Sequence, residues 1–171
     1  GGRTYTDPSE IANALNEHFT TVGYKTSKHI PSSHIDTDCK TNSDASRPPI
    51  FKLRHVTTKE TRETIRNMNP NKAADIHDIT PRMVRDLHNV LAPLLTPIFN
   101  TAIDSGQYPD ALKITKVIES HKSSDTEDPS NYRPISLLPI IARVFDRLIN
   151  DQLMTHLLKH DILSNHTYAF R

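Results

Sequence analysis

Two long runs of apolar residues recur at three- and four-residue spacing, and they constrain the fold more than any other feature of this chain. The first run opens at Thr80 and Pro81, an N-cap residue and a first-turn proline, and ends at Gly106. Its apolar positions are Val84, Leu87, Leu91, Leu94, Leu95, Ile98, Phe99 and Ile103. The second run begins near Pro139, and its apolar positions are Ile141, Val144, Phe145, Leu148, Ile149, Leu153 and Leu157. Because this spacing places apolar side chains on one face of an α-helix, the sequence predicts two long core helices.

Two prolines lie inside the first run, at Pro93 and Pro97. A proline inside a helix has no amide hydrogen to donate, and its ring collides with the preceding turn. We therefore expect these residues to kink the first long helix or to divide it.

A capping pattern predicts another helix near the start of the chain. Asp7 is followed three residues later by Glu10, and Pro8 suits a first helical turn. The apolar positions that follow are Ile11, Leu15, Phe19 and Val22. We predict a helix over residues 6–22, within an N-terminal extension of residues 1–23.

Residues 24–50 are rich in Ser, Thr, Asp, His, Lys and Pro and show no periodicity. Such a segment buries too little apolar surface to fold, so we predict a disordered polar linker. In the region that follows, residues 51–171, Thr57 and Glu60 repeat the capping pattern and predict a helix to about Met68.

Two short segments have ambiguous patterns. Phe51, Leu53 and Val56 could begin an extended segment, although three residues do not establish a strand, and residues 112–118 fit a short helix or a strand. The elements together predict a fold that is mainly α, grading to α+β.

Charge and composition narrow the class of protein. A formal net charge of +1 is low for a free-standing nucleic-acid binder, which usually has a clear basic excess. The single cysteine, Cys39, excludes an internal disulfide and fits a reducing compartment. No apolar run approaches the roughly 20 residues that a membrane helix needs. We expect a soluble, intracellular protein, and the sequence does not decide between nucleus and cytoplasm.

The run DPSNYRPISLLP, from Asp128 to Pro139, resembles the block "dPsnYRPISLLP" of reverse transcriptases from non-LTR (LINE-like) retrotransposons. Further short matches occur in the family's order. They are Phe99-Asn100 and Ser105–Pro109 ("lfN.sl..G.fP"), Lys116–Ile118 with Lys122 and Asp125 ("a.v.PihKkGd"), and Tyr168–Arg171 ("qyGFR"). The resemblance covers roughly residues 55 to 171.

This resemblance implies that residues 51–171 are the helical fingers portion of a right-hand polymerase. The family's metal-binding aspartates lie beyond the "GFR" block, so we expect an excerpt truncated before the palm, with the palm missing. The resemblance implies no catalytic residue, metal site or cofactor in this chain, and Mg²⁺, RNA template and DNA primer as ligands of the full-length enzyme. The alternative is a degenerate or domesticated helical protein-interaction module without nucleic-acid function.

The resemblance also implies four nucleotide- or template-binding residues: Lys122, Arg133, Lys72 and Arg171. By the resemblance, Lys122 and Arg133 grip the triphosphate of an incoming nucleotide, as an ammonium and a planar guanidinium can. The alternative for Arg133 is an ion pair with a nearby carboxylate such as Asp128.

Residues 72–80 depart from the family's "KAaGiDGIT". Asp75 and Asp78 replace both glycines, and His77 replaces the aspartate. Since glycine serves where φ is positive or a ligand approaches closely, and each Asp adds negative charge, we expect these changes to oppose nucleotide binding. A metal site formed by the three side chains is a weaker alternative than a solvated loop.

Two other side-chain sets have a functional and a structural interpretation. His156 and His160 have the i, i+4 spacing of a zinc pair but lack the glutamate of H-E-x-x-H, so we interpret them as polar-face residues. The apolar helix faces are core, and without the rest of a polymerase we expect part of them to stay partly exposed and to support self-association or a protein partner. These residues are Leu91, Leu95, Phe99, Val144, Phe145 and Leu148.

Overall fold

The computed structural model describes residues 5–28, 49–122 and 125–163. The α-helices in these ranges are α1 (Pro8–Ser27), α2 (Thr58–Arg66), α3 (Pro81–Asp86), α4 (His88–Ser105) and α5 (Ile140–Lys159). A two-stranded antiparallel sheet is formed by β1 (Lys116–His121) and β2 (Tyr132–Leu137). Short 3₁₀ turns occupy Asp110–Leu112 and Pro129–Asn131. The described structure is therefore mainly helical with a small sheet, which confirms the predicted class.

The chain divides into two compact units. One unit comprises Gly1–Ser43 and Val117–Ser136, and its described elements are α1 and the β1–β2 hairpin. The other comprises Asp44–Lys116 and Leu137–Arg171, and it contains α2 to α5. Residues 51–171, which the sequence predicts to be one region, therefore contribute to both units.

The core of the helical unit lies where α2, α4 and α5 pack together. The rings of Phe99 and Phe145 stack in parallel with their centroids 4.7 Å apart. Ile65 and Val144 are fully buried beside them, and complete burial of each such side chain contributes about 1.5–3 kcal/mol.

The expectation that core-facing residues stay partly exposed is wrong for Phe99, Val144, Phe145 and Leu148, which are all buried. Leu91 and the neighbouring Leu95 are half-buried. The reason is that α2 and α5 cover the inner face of α4 within this chain, so no further subdomain is needed there.

An extended segment precedes α2 and is held in place by hydrogen bonds to the side-chain amides of two residues. Asn100 of α4 accepts from the Val56 amide at 2.8 Å and donates to the Val56 carbonyl at 3.0 Å. Gln152 of α5 accepts from the Arg54 amide at 2.9 Å and donates to its carbonyl at 3.2 Å. Each amide replaces the backbone of a neighbouring strand, which explains why the segment is extended without belonging to a sheet.

The predicted helix starts are confirmed. The Asp7 carboxylate accepts from the amides of Ser9 and Glu10, and Thr57 and Glu60 form a reciprocal capping box. At the other end of α1 the prediction is wrong, because the helix continues to Ser27 and residues 24–27 are not linker. The predicted linker residues 29–48 lie outside the described residues.

The first long apolar run is divided at Leu87, between α3 and α4, and not at either proline. Pro93 and Pro97 both lie inside α4, so of the two expected outcomes, a kink or a division, the division at the prolines is wrong. A proline removes only one helical hydrogen bond, and burial of the inner face of α4 against α2 and α5 stabilises the helix through both positions. Gly106, with φ of 65°, ends α4 as predicted.

The second long helix, α5, begins at Ile140, directly after Pro139, as the sequence predicts. Of the alternatives for residues 112–118, the structure has a 3₁₀ turn that ends at Leu112 and a strand that begins at Lys116.

Candidate functional site

The β1–β2 hairpin places two of the predicted binding residues on one face. Just past β1, the Lys122 amide donates to the Asn131 carbonyl at 2.8 Å, and the His121 and Tyr132 rings lie 5.1 Å apart. These contacts pair residue 122 with 131 and 121 with 132 in the antiparallel ladder. Because side chains alternate along a strand, Lys122 and Arg133 lie on the same face of the hairpin.

The loop that joins the strands is stabilised by its own side chains. Asp128 accepts from the amide and the hydroxyl of Ser130, both at 2.8 Å, and these bonds lower the pKa of its carboxyl. Asn131 donates to the Asp125 carbonyl at 2.8 Å, and the Tyr132 hydroxyl donates to the Thr126 carbonyl at 2.9 Å. The polar residues that precede Arg133 therefore build the turn.

Arg133 is exposed and forms no ion pair or hydrogen bond with any residue that the structure describes. The alternative ion pair with Asp128 is not formed, and the described contacts of that carboxylate are with Ser130. The Lys122 ammonium is likewise exposed and has no ion pair among the described side chains. Both cationic groups are therefore accessible to an anion.

The remaining predicted binding residues are not part of the hairpin. Lys72 is exposed in the helical unit, on the loop between α2 and α3. Arg171, with the rest of the "qyGFR" match, lies outside the described residues.

Asp75 has a different role from the one expected. It is 5% exposed, and one carboxylate oxygen accepts from the amides of His77 at 2.9 Å and Ile79 at 3.2 Å. The other accepts from the Ile140 amide, at the start of α5, at 2.8 Å. Burial opposes ionisation, but the three amide bonds together outweigh it and lower the pKa of Asp75. The expectation that Asp75 turns negative charge toward a phosphate is therefore wrong.

Asp78 has φ of 55°, in the left-handed region. The family's glycine at this position thus corresponds to a backbone that needs positive φ, and Asp is one of the few other residues that adopt it readily.

Asp75 has both oxygens bonded to amides, and no group of three metal-ligating side chains occurs in the described parts of the chain.

Comparison with curated proteins finds homologous polymerases. The chain is 31% identical over 158 residues to the RNA-directed DNA polymerase from mobile element jockey of Drosophila melanogaster. This match covers 90% of the chain and 16% of that protein. It is 31% identical over 113 residues to the probable RNA-directed DNA polymerase from transposon X-element of the same species. This match covers 66% of the chain and 12% of that protein. The probable RNA-directed DNA polymerase from transposon BS is 25% identical over 162 residues, 94% of the chain and 17% of that protein. No protein-family model matches the chain.

The chain is homologous to the RNA-directed DNA polymerases of non-LTR retrotransposons. It spans between 12% and 17% of the length of these relatives. The resemblance predicted from the short motifs is confirmed.

One of the short matches has a structural explanation. The side-chain amide of Asn100, in the "lfN" match, forms hydrogen bonds with the backbone amide and carbonyl of Val56. Its position in the family pattern is therefore accounted for by backbone hydrogen bonding across 44 residues and requires no contact with a ligand.

The helical unit also contains a groove of about 960 Å³ that the sequence did not predict, between residues 49–56, α2 and α5. Its charged lining is Lys52, Arg54, Glu60, Glu63, Arg143, Arg147, Asp151 and Lys159. Arg54 pairs with Glu60, and Arg147 pairs with Asp151 at 2.9 Å, so much of the charge is neutralised internally. Lys72, the predicted binding residue that the structure describes in this unit, does not line the groove. The lining residues come from segments too distant in sequence to form a motif.

His156 of α5 and His160, which follows the helix, belong to an aromatic cluster that lines this groove. The His156 ring lies 4.6 Å from that of His160 and 5.3 Å from that of Phe51. Desolvation, with the charges of His156 and Lys159, lowers the pKa of His160. Both rings are half-buried, and His156 packs on Phe51, so the histidines contribute packing as well as polarity. No helix in the described ranges has the length and apolar character to cross a bilayer.

Proposed function

We propose that this chain is a fingers portion of a non-LTR retrotransposon reverse transcriptase, and that its β1–β2 hairpin positions nucleotide or template within the full-length enzyme. The observation that supports this most directly is the placement of Lys122 and Arg133 on one hairpin face, both exposed and both without a partner among the described residues. The names of the homologous proteins support the substrate class.

The chemistry of the two side chains suits phosphate. A guanidinium presents a planar fork of donors to two phosphate oxygens, and an ammonium presents a compact charge. The self-bonded loop from Asp125 to Tyr132 orders the backbone that precedes Arg133, so less backbone entropy is lost when this residue binds.

Phosphoryl transfer in the full-length enzyme would use Mg²⁺ ions on carboxylates outside this chain. We therefore expect the 171-residue chain alone to have no polymerase activity. Extension of an annealed primer by the purified chain, with Mg²⁺ and deoxynucleotides, would show that this expectation is wrong.

Binding of labelled RNA and of an annealed primer–template, followed by fluorescence anisotropy at about 50 and 200 mM salt, tests the role of the hairpin. Arg133→Ala and Lys122→Ala should each weaken binding. Each should also reduce the slope of the log binding constant against the log salt concentration by about one, because one phosphate contact is lost. Lys113→Ala is the matched control, because it removes an exposed lysine that is already paired with Asp110 at 2.7 Å. Equal binding by Arg133→Ala and Lys113→Ala would contradict the proposal.

The alternative, a helical interaction module without nucleic-acid function, is favoured by the low net charge of +1 and by exposed apolar residues on α4. The same salt series separates the two functions. Binding through phosphates weakens steeply as salt rises, whereas apolar association does not.

A further inference from the structure

The β1–β2 hairpin depends on its own side chains for its register. In the part of the chain that the structure describes, β1 and β2 pair only with each other, and a two-stranded sheet has little stability of its own. Residues 123–130 join the paired positions 122 and 131, and a connection of this length does not fix the register as a two-residue turn does. Side-chain contacts next to the strands therefore have to supply that constraint.

The register decides whether the two candidate binding residues can act together. Ser120 lies opposite Arg133 in the ladder, and Lys122 lies on the same face, two residues further along the chain. Because successive side chains of a strand point to opposite faces, a slip of one residue would turn Arg133 away from Lys122. A correct register is therefore a condition for the proposed phosphate contacts.

Tyr132 links the start of β2 to the loop. Its hydroxyl donates to the Thr126 carbonyl at 2.9 Å, and its ring centroid lies 5.1 Å from that of His121, the residue opposite it in the ladder. Side-chain alternation places both rings on the face that Lys122 and Arg133 do not occupy. The Tyr132 side chain thus contacts both the neighbouring strand and the loop, and this residue directly precedes Arg133.

We propose that Tyr132 is a positioning residue, which fixes the hairpin register so that Arg133 and Lys122 stay on one face. This inference rests on the proposed function of the hairpin, and it names a residue that serves the phosphate contacts without touching the ligand. Its effect passes through the backbone to Arg133, because the Tyr132 side chain lies on the other face.

A double-mutant cycle between Tyr132→Phe and Arg133→Ala tests the proposal. Binding of a labelled, annealed primer–template to the 171-residue chain is followed by fluorescence anisotropy at about 50 mM salt. The phenylalanine keeps a ring beside His121 and removes the hydrogen bond to Thr126. Tyr132→Phe alone should weaken binding about three- to tenfold, the order expected for the loss of one hydrogen bond. In the Arg133→Ala background it should weaken binding less than about twofold, because the residue through which it acts is gone.

Tyr108→Phe is the matched control. It also removes the hydrogen bond of a tyrosine hydroxyl, here to the Asp146 carboxylate at 2.9 Å, but in the other compact unit. Binding by this variant should stay within about twofold of the wild-type chain, because distant sites act independently.

Hydrogen exchange gives a second readout that needs no ligand. The Lys122 amide donates to the Asn131 carbonyl, so its exchange reports on the pairing of the two strands. Exchange at this amide should be about three- to tenfold faster in Tyr132→Phe than in the wild-type chain, and unchanged in Tyr108→Phe.

Less than additive effects on binding, together with faster exchange at the Lys122 amide, would support the positioning role. Equal loss of affinity from Tyr132→Phe with and without Arg133 would overturn it, as would unchanged exchange or an effect no larger than that of Tyr108→Phe. Failure of the proposed function has a different signature, since Arg133→Ala would then bind as well as Lys113→Ala whatever residue stands at position 132.

Discussion

The carboxylate of Asp75 accepts a hydrogen bond from the backbone amide of Ile140 at 2.8 Å, across 65 residues of sequence. Ile140 is the first residue of α5, and its preceding residue, Pro139, has no side-chain cap to offer. Asp75 therefore caps α5 from a distant loop, and its negative charge lies at the positive end of the helix dipole. This contact joins the loop between α2 and α3 to the longest helix of the core.

Replacement of Asp75 by Asn tests this long-range cap. An asparagine has one acceptor oxygen, so it cannot accept from Ile140 while also accepting from His77 and Ile79. Leaving a buried amide without a partner should lower the free energy of unfolding by about 1–3 kcal/mol, measured by urea denaturation. Asp78→Asn, in the same loop but exposed, should change stability by less than about 0.5 kcal/mol. Equal effects of the two substitutions would contradict the cap.

The positive φ of 55° at Asp78 predicts that a glycine at this position makes the fold more stable. Asp78→Gly relieves left-handed strain and should raise the free energy of unfolding by about 0.5–1 kcal/mol, after the entropy that glycine gains in the unfolded chain is subtracted. The amide of residue 78 keeps its bond to the Asp75 carbonyl in either case. Asp86→Gly, at the end of α3, should be destabilising in the same thermal-unfolding assay. A loss of stability at position 78 would show that the Asp side chain contributes more than its backbone costs.

Glu60 should make stability depend on acid pH. The hydrogen bond from Arg54, with the Thr57 amide and hydroxyl, lowers the pKa of Glu60 from 4.5 to about 2. Because the folded-state pKa lies below the ordinary value, the contribution of this carboxylate is complete above about pH 4.5 and is lost as pH falls toward 2. Glu60→Gln should therefore be less stable than the wild-type chain at pH 7, and the difference should shrink as pH falls.

Urea unfolding at a series of pH values from 7 to 3 measures that difference. Glu63→Gln, at an exposed position of the same helix and outside the capping box, is the control. If the gap between the wild-type chain and Glu60→Gln stayed constant with pH, the capping box would not be the cause.

Substitution of Asn100 should loosen the extended segment before α2. Asn100→Asp keeps an acceptor for the Val56 amide but loses the donor to the Val56 carbonyl, which lies at a buried residue. We expect a loss of about 1–3 kcal/mol and faster hydrogen exchange at the amides of residues 50–57. Asn89→Asp, at an exposed position of the same helix, should leave exchange in that segment unchanged. Unchanged exchange in Asn100→Asp would show that Gln152 alone is sufficient.

Features set by neighbours in sequence were predictable. The capping box of Thr57 and Glu60, the cap at Asp7 and the helix end at Gly106 each depend on residues within a few positions, so local pattern is sufficient evidence. The family was predictable for a different reason, since the order of residues from Asp128 to Pro139 is specific in itself. The roles proposed for Lys122 and Arg133 came from the same motif and stay predictions.

Other features were decided by tertiary structure, because they join residues that sequence periodicity treats as independent. The sequence indicates a charge in a solvated loop at Asp75, whereas the contact with Ile140 places this carboxylate in the interior. The periodicity of α4 contains two apolar faces, and only the packing of α2 and α5 determines that Phe99 is buried and Leu94 exposed. The same packing allows Pro93 to remain inside a helix. Local hydrogen bonding thus determined where α1 and α2 begin, whereas contacts between distant segments determined the cap of α5 and which side of α4 faces the solvent.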